Sequence, residues 1–345
     1  MKASFFSIGT YENADSMMGG GWPAPPKLWD RKLGQRAMEL SLEQIARADE
    51  LGFDWVSFSE HHYMPLLLEP NPILMAAAAS QVTKRATLAL LGPSVGFNNP
   101  VRIAEEIAML DALSGGRTAV LFLRSVGFEY AAYTGNLDES RERTQEASIL
   151  IERALSEPEP FGWEGRHFSF RTVSVWPAMV QEKPRFFYSG NSFESAEFAA
   201  AHRYGLACSF FPVAFLGQVV DRYRREAQRA GWEPVRDQFV FRGRCVIGET
   251  DADAQAQAAE LNAAEAAGGA GFGALQFVGS PETVIEQVKE IHGLGFGVVD
   301  FVFPARNREH EAVMRSLDLI ANEVLPAMQA FDDKLTPLLE TSDAR

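Results

Sequence analysis

Eight short apolar runs, each followed by a segment of helical period, set the limits on what this chain can fold into. The runs cover residues 3–8, 53–59, 86–95, 118–124, 185–189, 206–211, 239–247 and 298–303. Most are apolar nearly throughout, the pattern of parallel strands covered on both faces. Between them lie helical segments at 41–51, 72–82, 100–113, 138–155, 192–202, 216–230, 251–264, 281–292 and 310–328. Pro100 opens one at a first-turn position and Ser114-Gly115-Gly116 ends it. TDADA and SPETV read as helix N-caps. Strand and helix repeated eight times predict an α/β fold, a (β/α)8 TIM barrel. The competitor is a doubly wound open sheet, but no GxGxxG follows the first run.

Three connections exceed ordinary loop length. Residues 11–40 follow the first strand, 156–183 the fourth helix, and the Gly/Ala-rich 263–279 the seventh. They read as insertions in one barrel domain spanning 1–345, and the last is either a lid or a passive linker. The first run, MKASFFSIGTYEN, lacks the apolar core of a signal peptide, and no run reaches the ~18 apolar residues of a membrane span. The 32 basic and 46 acidic residues leave a net charge of −14, which repels phosphate backbones and anionic lipid. The expectation is a cytoplasmic protein with neither nucleic acid nor membrane as partner. Cys208 and Cys245, each in an apolar run, read as buried thiols suited to a reducing compartment.

In a barrel the site forms where the strands end. After the fifth strand stands YSGNSFES, a glycine turn leading into a helix start. Free amides at that start and the hydroxyls of Ser192 and Ser195 make a phosphate cradle. The alternative is a plain serine N-cap. Arg124 ends the apolar run AVLFLR, where a cation needs an anionic partner, and Arg141 early in the next helix can reach the same place. Arg141 has its own alternative, a surface pair with Glu139 or Glu142. After the second strand stands SEHHYMP. Adjacent histidines diverge on extended backbone and HExxH spacing is absent, so a metal is disfavoured. One ring in the mouth and one held in hydrogen bonds, with Glu60 as internal partner, is the expected arrangement.

These pieces resemble the bacterial-luciferase-like flavin monooxygenases. The resemblance runs in order through ADELGFDWVSFSEHHYMP, TKRATLALLGPSVGFNNPVRIAEEIAMLDALSGGRT, LFLRSVGFEYAAYTGNLDESRER, PRFFYSGNSFESAEFAAAHRYGLA and GSPETVIEQVKEIHGLGFGVVDF. It implies reduced FMN supplied by a separate flavin reductase, or a deazaflavin. It also implies cofactor contacts at Arg124, Arg141, Asn191, Ser192 and Ser195, and a non-prolyl cis peptide at Leu91–Gly92 beneath the flavin ring. His61 matches the position that assists chemistry on the flavin, and His62 reads as structural. A homodimer through the helices near the second and third strands is implied as well. Two departures stand out: Asn99 replaces the usual histidine before PVR, and SVGFEY replaces a glycine-rich stretch after Arg124.

The reaction so implied is oxygenation of a small organic substrate by a flavin hydroperoxide. His61 is then the acid/base, since imidazole titrates close to neutral pH. Phe58, Met64, Phe97, Phe128, Phe211 and Phe303 are the candidate pocket walls. Core packing is the alternative for each. Two other functions fit the same barrel: deazaflavin-dependent hydride transfer, and flavin binding without catalysis.

Overall fold

A computed structural model describes residues 1–9, 11, 14, 21–133, 135–268 (267 and 268 as backbone only), 273–304, 310–335 and 338. The strands are β1 (Lys2–Phe6), β2 (Trp55–Phe58), β3 (Thr87–Leu90), β4 (Thr118–Phe122), β5 (Phe161–Glu164), β6 (Ser169–Val173), β7 (Arg185–Ser189), β8 (Gly205–Ser209), β9 (Phe239–Ile247), β10 (Leu275–Gly279) and β11 (Val298–Val302). Eight of them close a parallel ring in the order β1-β2-β3-β4-β7-β8-β9-β11 and back to β1. The chain is a (β/α)8 barrel, and all eight apolar runs of the sequence supply its staves.

Alternation along each stave divides an apolar run between two cores. Ala89, Ala119, Leu121, Phe187, Val240 and Trp55 fill the barrel interior. Their neighbours Leu88, Leu90, Val120, Phe122 and Phe239 face the surrounding helices. Ten α-helical segments are described around the ring: α1 (Arg31–Leu51), α2 (Pro72–Val82), α3 (Pro100–Ser114), α4 (Gly127–Ala132), α5 (Ser140–Ser156), α6 (Phe193–Ala201), α7 (Val213–Arg229), α8 (Asp251–Gly268), α9 (Pro281–Gly293) and α10 (His310–Leu319). A π-helical stretch, Ile320–Val324, joins α10 to α11 (Leu325–Gln329). Asn99 caps α3, its Oδ1 accepting from the amides of Val101 (3.0 Å) and Arg102 (3.1 Å). That gives this departure from the family pattern a structural role. No described helix is long and apolar enough to cross a membrane.

Each of the three insertions carries regular structure among its described residues. Within 11–40, α1 already starts at Arg31, capped by Asp30. Within 156–183, β5 and β6 form an antiparallel hairpin. Glu146 on α5 holds it by accepting from the amides of His167 (2.9 Å) and Phe168 (3.0 Å). Within 263–279, α8 runs on to Gly268, and β10 pairs with the end of β9 that β8 leaves free. Residues 269–272, on which the lid reading rests, lie outside those described.

Candidate active site

The extended backbone after β2 sends the two histidines apart. His61 meets Glu129 of α4, Nδ1 to Oε1 at 2.9 Å, and keeps 22% of its side chain open. His62 is buried: its Nε2 meets Glu60 Oε1 at 3.0 Å and its Nδ1 the Tyr133 hydroxyl at 3.1 Å. Glu60 also accepts from the Ser94 amide (3.0 Å) and the Asn98 side chain (3.3 Å). One ring is therefore open and one is locked, and Glu60 serves His62. Glu129 is the residue that sequence reasoning missed. It lies 68 positions from His61 and its only signal was a single acid in the aromatic stretch SVGFEY. Burial raises the Glu129 pKa, but the hydrogen bond and charge of His61 and the Ser125 hydroxyl outweigh that and leave it lowered. An ionised carboxylate only accepts, so Nδ1 of His61 carries the proton and Nε2 is left for the mouth.

Aromatic rings surround this pair. Trp22 donates from Nε1 to the His62 carbonyl (2.9 Å) and lies 5.0 Å from Phe128 and 5.8 Å from Tyr63. Tyr63 (φ 59°), Ser125 (φ 70°) and Phe210 (φ 57°) all take left-handed backbone where strands β2, β4 and β8 end. Such strain in residues other than glycine clusters at functional sites.

On the opposite arc, β7 runs through Gly190 into α6. A side chain at Gly190 would put its Cβ 2.1 Å from Ser195 Cβ, so only glycine lets the turn close on the helix start. Ser192 caps α6, accepting from the Ser195 amide at 3.3 Å, and the two hydroxyls stand 3.2 Å apart. Asn191 uses its side chain differently: it pairs with both backbone groups of Ser209 at 2.9 Å and ties the end of β7 to β8. Arg141 faces this turn. Its nearest carboxylate is Glu194 on α6 at 3.8 Å, and neither Glu139 nor Glu142 pairs with it. Arg124 is exposed and has no carboxylate partner among the described residues. Phe122 on β4 pairs with Tyr188 on β7, so Arg124, two residues further on, stands beside the end of β7. The structure thus brings Arg124, Arg141, Ser192 and Ser195 around one strand end.

Between the two arcs lies a cavity lined by Leu91, Leu121, Leu123, Ala207, Val240 and Arg242. The Leu91–Gly92 bond is not among the cis bonds, which are Trp22–Pro23 and Trp176–Pro177, so the expected cis peptide is absent. The turn is made instead by Gly92 at φ 139°, a conformation other residues rarely adopt, with the Leu91 amide donating to Ala89 O (2.9 Å). A Cβ on Gly92 would also stand 2.7 Å from Leu123 Cδ2.

Several expected pocket walls lie elsewhere. Phe58 and Phe303 sit on the outer face of the barrel in the core shared with the helices, because alternation along β2 and β11 turns them outward. Phe211 points to Phe215 on α7 (6.3 Å), and Phe210 takes its place in the mouth beside Met64, Phe6 and Val302. Phe97 stacks on Tyr133 (5.1 Å) behind His62. Met64 and Phe128 remain at the mouth. Cys208 and Cys245 are both buried, and burial pushes the Cys208 thiol up, away from reactivity.

Glu69, in the loop after β2, is buried. One oxygen accepts from Ser7 Oγ (2.8 Å) and the other has no partner among the described residues. Burial raises its pKa from the ordinary 4.5 to about 8. The folded chain therefore keeps a proton that the unfolded chain gives up above 4.5. Its contribution is fully present below about 4.5 and lost as pH rises through about 8. Glu69→Gln does not ionise. Thermal unfolding between pH 5 and 8 should show the variant gaining on the wild type by up to about 1.4 kcal/mol per pH unit. Parallel curves would show that Glu69 ionises freely in the fold.

Comparison with known proteins agrees with this fold. The family model for luciferase-like monooxygenases matches residues 18–297. The oxygenase component of the flavin-dependent trigonelline monooxygenase of Acinetobacter baylyi is 22% identical, over 86% of this chain and 92% of its own length. The chain spans only part of the length of other curated relatives, 56% and 43% in two cases. A monooxygenase from Streptomyces bottropensis superposes with a TM-score of 0.78 at 26% identity, covering 94% of this chain and 99% of its own. The oxygenating constituent of 3,6-diketocamphane monooxygenase from Pseudomonas putida, solved with FMN, has a TM-score of 0.75 at 19% identity, covering 95% and 98%. A family match across four-fifths of the sequence, on a barrel whose strand ends carry the residues described above, means that this chain belongs to the luciferase-like monooxygenase family.

Proposed function

We propose that the protein is the oxygenase of a two-component, FMN-dependent monooxygenase acting on a small organic substrate. The observation that carries this reading is the pairing of two half-sites across one barrel mouth. One is an anion cradle at Ser192, Ser195, Arg141 and Arg124, and the other is an open imidazole backed by a buried carboxylate. A cavity with Leu91, Leu123 and Val240 on its walls and Ser189, Ser209 and Arg242 at its polar positions lies between them. Bound reduced FMN supplies the reaction with dioxygen, and a flavin reductase delivers it in that state.

The chain's own part is positional. Ser192, Ser195 and the two arginines hold the phosphate, while Leu91, Leu123 and Val240 exclude water around the ring. His61 Nε2 moves the proton at the reacting oxygen, with Nδ1 fixed by Glu129. Trp22, Tyr63 and Phe128 receive the substrate.

Reconstitution with reduced FMN and with a reduced deazaflavin, followed by oxygen uptake and a product mass scan under labelled dioxygen, tests the reading. One labelled oxygen atom in an organic product is expected with FMN. Hydride transfer from the deazaflavin without oxygen uptake would replace it.

The dimer belongs to the same proposal. Leu74 and Val82 on α2, and Met109 and Leu113 on α3, are large apolar side chains left exposed, 71% in the case of Leu74. A second copy covering these two helices would bury them. Leu74→Glu with Met109→Glu is expected to turn a dimer into a folded monomer by light scattering. A wild type that is monomeric at micromolar concentration removes the proposal.

A further inference from the structure

Among the described residues, Arg242 is the one cation that lines the cavity between the two half-sites. It stands on β9 level with Ser209 on β8 and Asp300 on β11. Its Nε donates to Asp300 Oδ2 at 2.7 Å. Asp300 is fully buried and takes the Ser57 hydroxyl on its other oxygen, also at 2.7 Å, so this carboxylate is satisfied and fixed. The guanidinium carbon lies 4.0 Å from the centroid of the Phe6 ring. With one edge on Asp300 and one face on Phe6, the guanidinium plane is held in place. Yet Nη2 is buried and has no hydrogen-bond partner among the described residues. Buried donors in native proteins are nearly always paired.

Arg244, two residues further along β9, shows the contrast. Arg244 is occupied by Glu265 and the Gly273 carbonyl. Only Arg242 lines the cavity.

The geometry points to Arg242 as the group that binds the N1–C2=O edge of the reduced flavin ring and so makes the protein prefer reduced over oxidised FMN. This rests on the flavin reading above. The cradle fixes the phosphate near the end of β7, so a ring lying in the cavity extends toward β9 and β1, where Arg242 stands. Reduced isoalloxazine is acidic at N1, and the charge of its anion is shared with the C2 carbonyl. The oxidised ring carries no such charge. A fixed guanidinium donor therefore interacts more strongly with the reduced form. A preference of this kind suits an oxygenase that must capture reduced FMN and release the oxidised product.

The test is anaerobic titration of the purified chain with dithionite-reduced FMN and, separately, oxidised FMN, for wild type, Arg242→Met and Arg242→Lys. The wild type is expected to bind reduced FMN at least about tenfold more tightly. Arg242→Met should lose most of that ratio with oxidised FMN changed less than about threefold, and Arg242→Lys should keep part of it. An Arg242→Met protein with the wild-type ratio overturns the inference. A second readout needs no variant: the absorbance of reduced FMN on the wild type should remain that of the anion about one pH unit or more below the point where free reduced FMN protonates. Protonation at the same pH as free FMN overturns the inference equally. Failure of the wild type to bind FMN in either state refutes the flavin reading itself, a separate result.

Discussion

Glu129→Gln is expected to lower the monooxygenase turnover roughly 10²- to 10⁴-fold, the range associated with a misplaced general acid or base. FMN affinity should be unchanged. Glu129 is fully buried and makes two contacts, one with His61 Nδ1 and one with the Ser125 hydroxyl at 2.5 Å. Neither involves the cradle. Glutamine keeps the volume but loses the charge. A serine hydroxyl accepts as well as donates, so the amide can keep both contacts by donating to Ser125, and what is lost is the negative charge beside the ring; an amide turned the other way presents a donor to Nδ1 and forces the other tautomer. His61→Ala should cost about as much as Glu129→Gln, and the double variant little more than either. Additive losses in that cycle would separate the two residues and remove Glu129 from the mechanism.

The barrel was legible because each stave is a run of apolar residues long enough to feed two cores, and no other common fold needs eight of them. The elements missed are those without such contrast. The hairpin strands FGWE and SFRTV are half exposed, and β10 follows a Gly/Ala stretch that reads as loop. The split between His61 and His62 followed from the period of an extended chain. Glu129, Arg242 and Trp22 were not legible, because each meets its partner only after the barrel closes. Phe58 and Phe303 were misplaced for a related reason. An apolar run names the strand, but the face on which its aromatic lies depends on register, and a shift of one residue reverses it.

Arg124→Ala and Arg141→Ala are each expected to weaken FMN binding, roughly tenfold or more. A hydrogen bond to a charged group contributes about 1.5–3 kcal/mol. Riboflavin has the same ring and no phosphate, so its affinity should be unaffected, and the FMN-to-riboflavin ratio isolates the cradle from everything that holds the ring. The two arginines should not be equal. Arg141 already faces Glu194, a carboxylate held ionised by the Ser192 hydroxyl, its own amide and Arg141. A phosphate must compete with that carboxylate, which subtracts from what Arg141 can contribute. Arg124 has no carboxylate to leave, so its loss should be the larger, and Glu194→Gln should tighten FMN binding slightly. Gly190→Ala acts on the same ratio by another route: the added methyl collides with Ser195, and either the turn or the helix start must shift. If both arginine variants bind FMN as the wild type does, the phosphate lies elsewhere and the ring cannot be placed over Leu91 and Arg242.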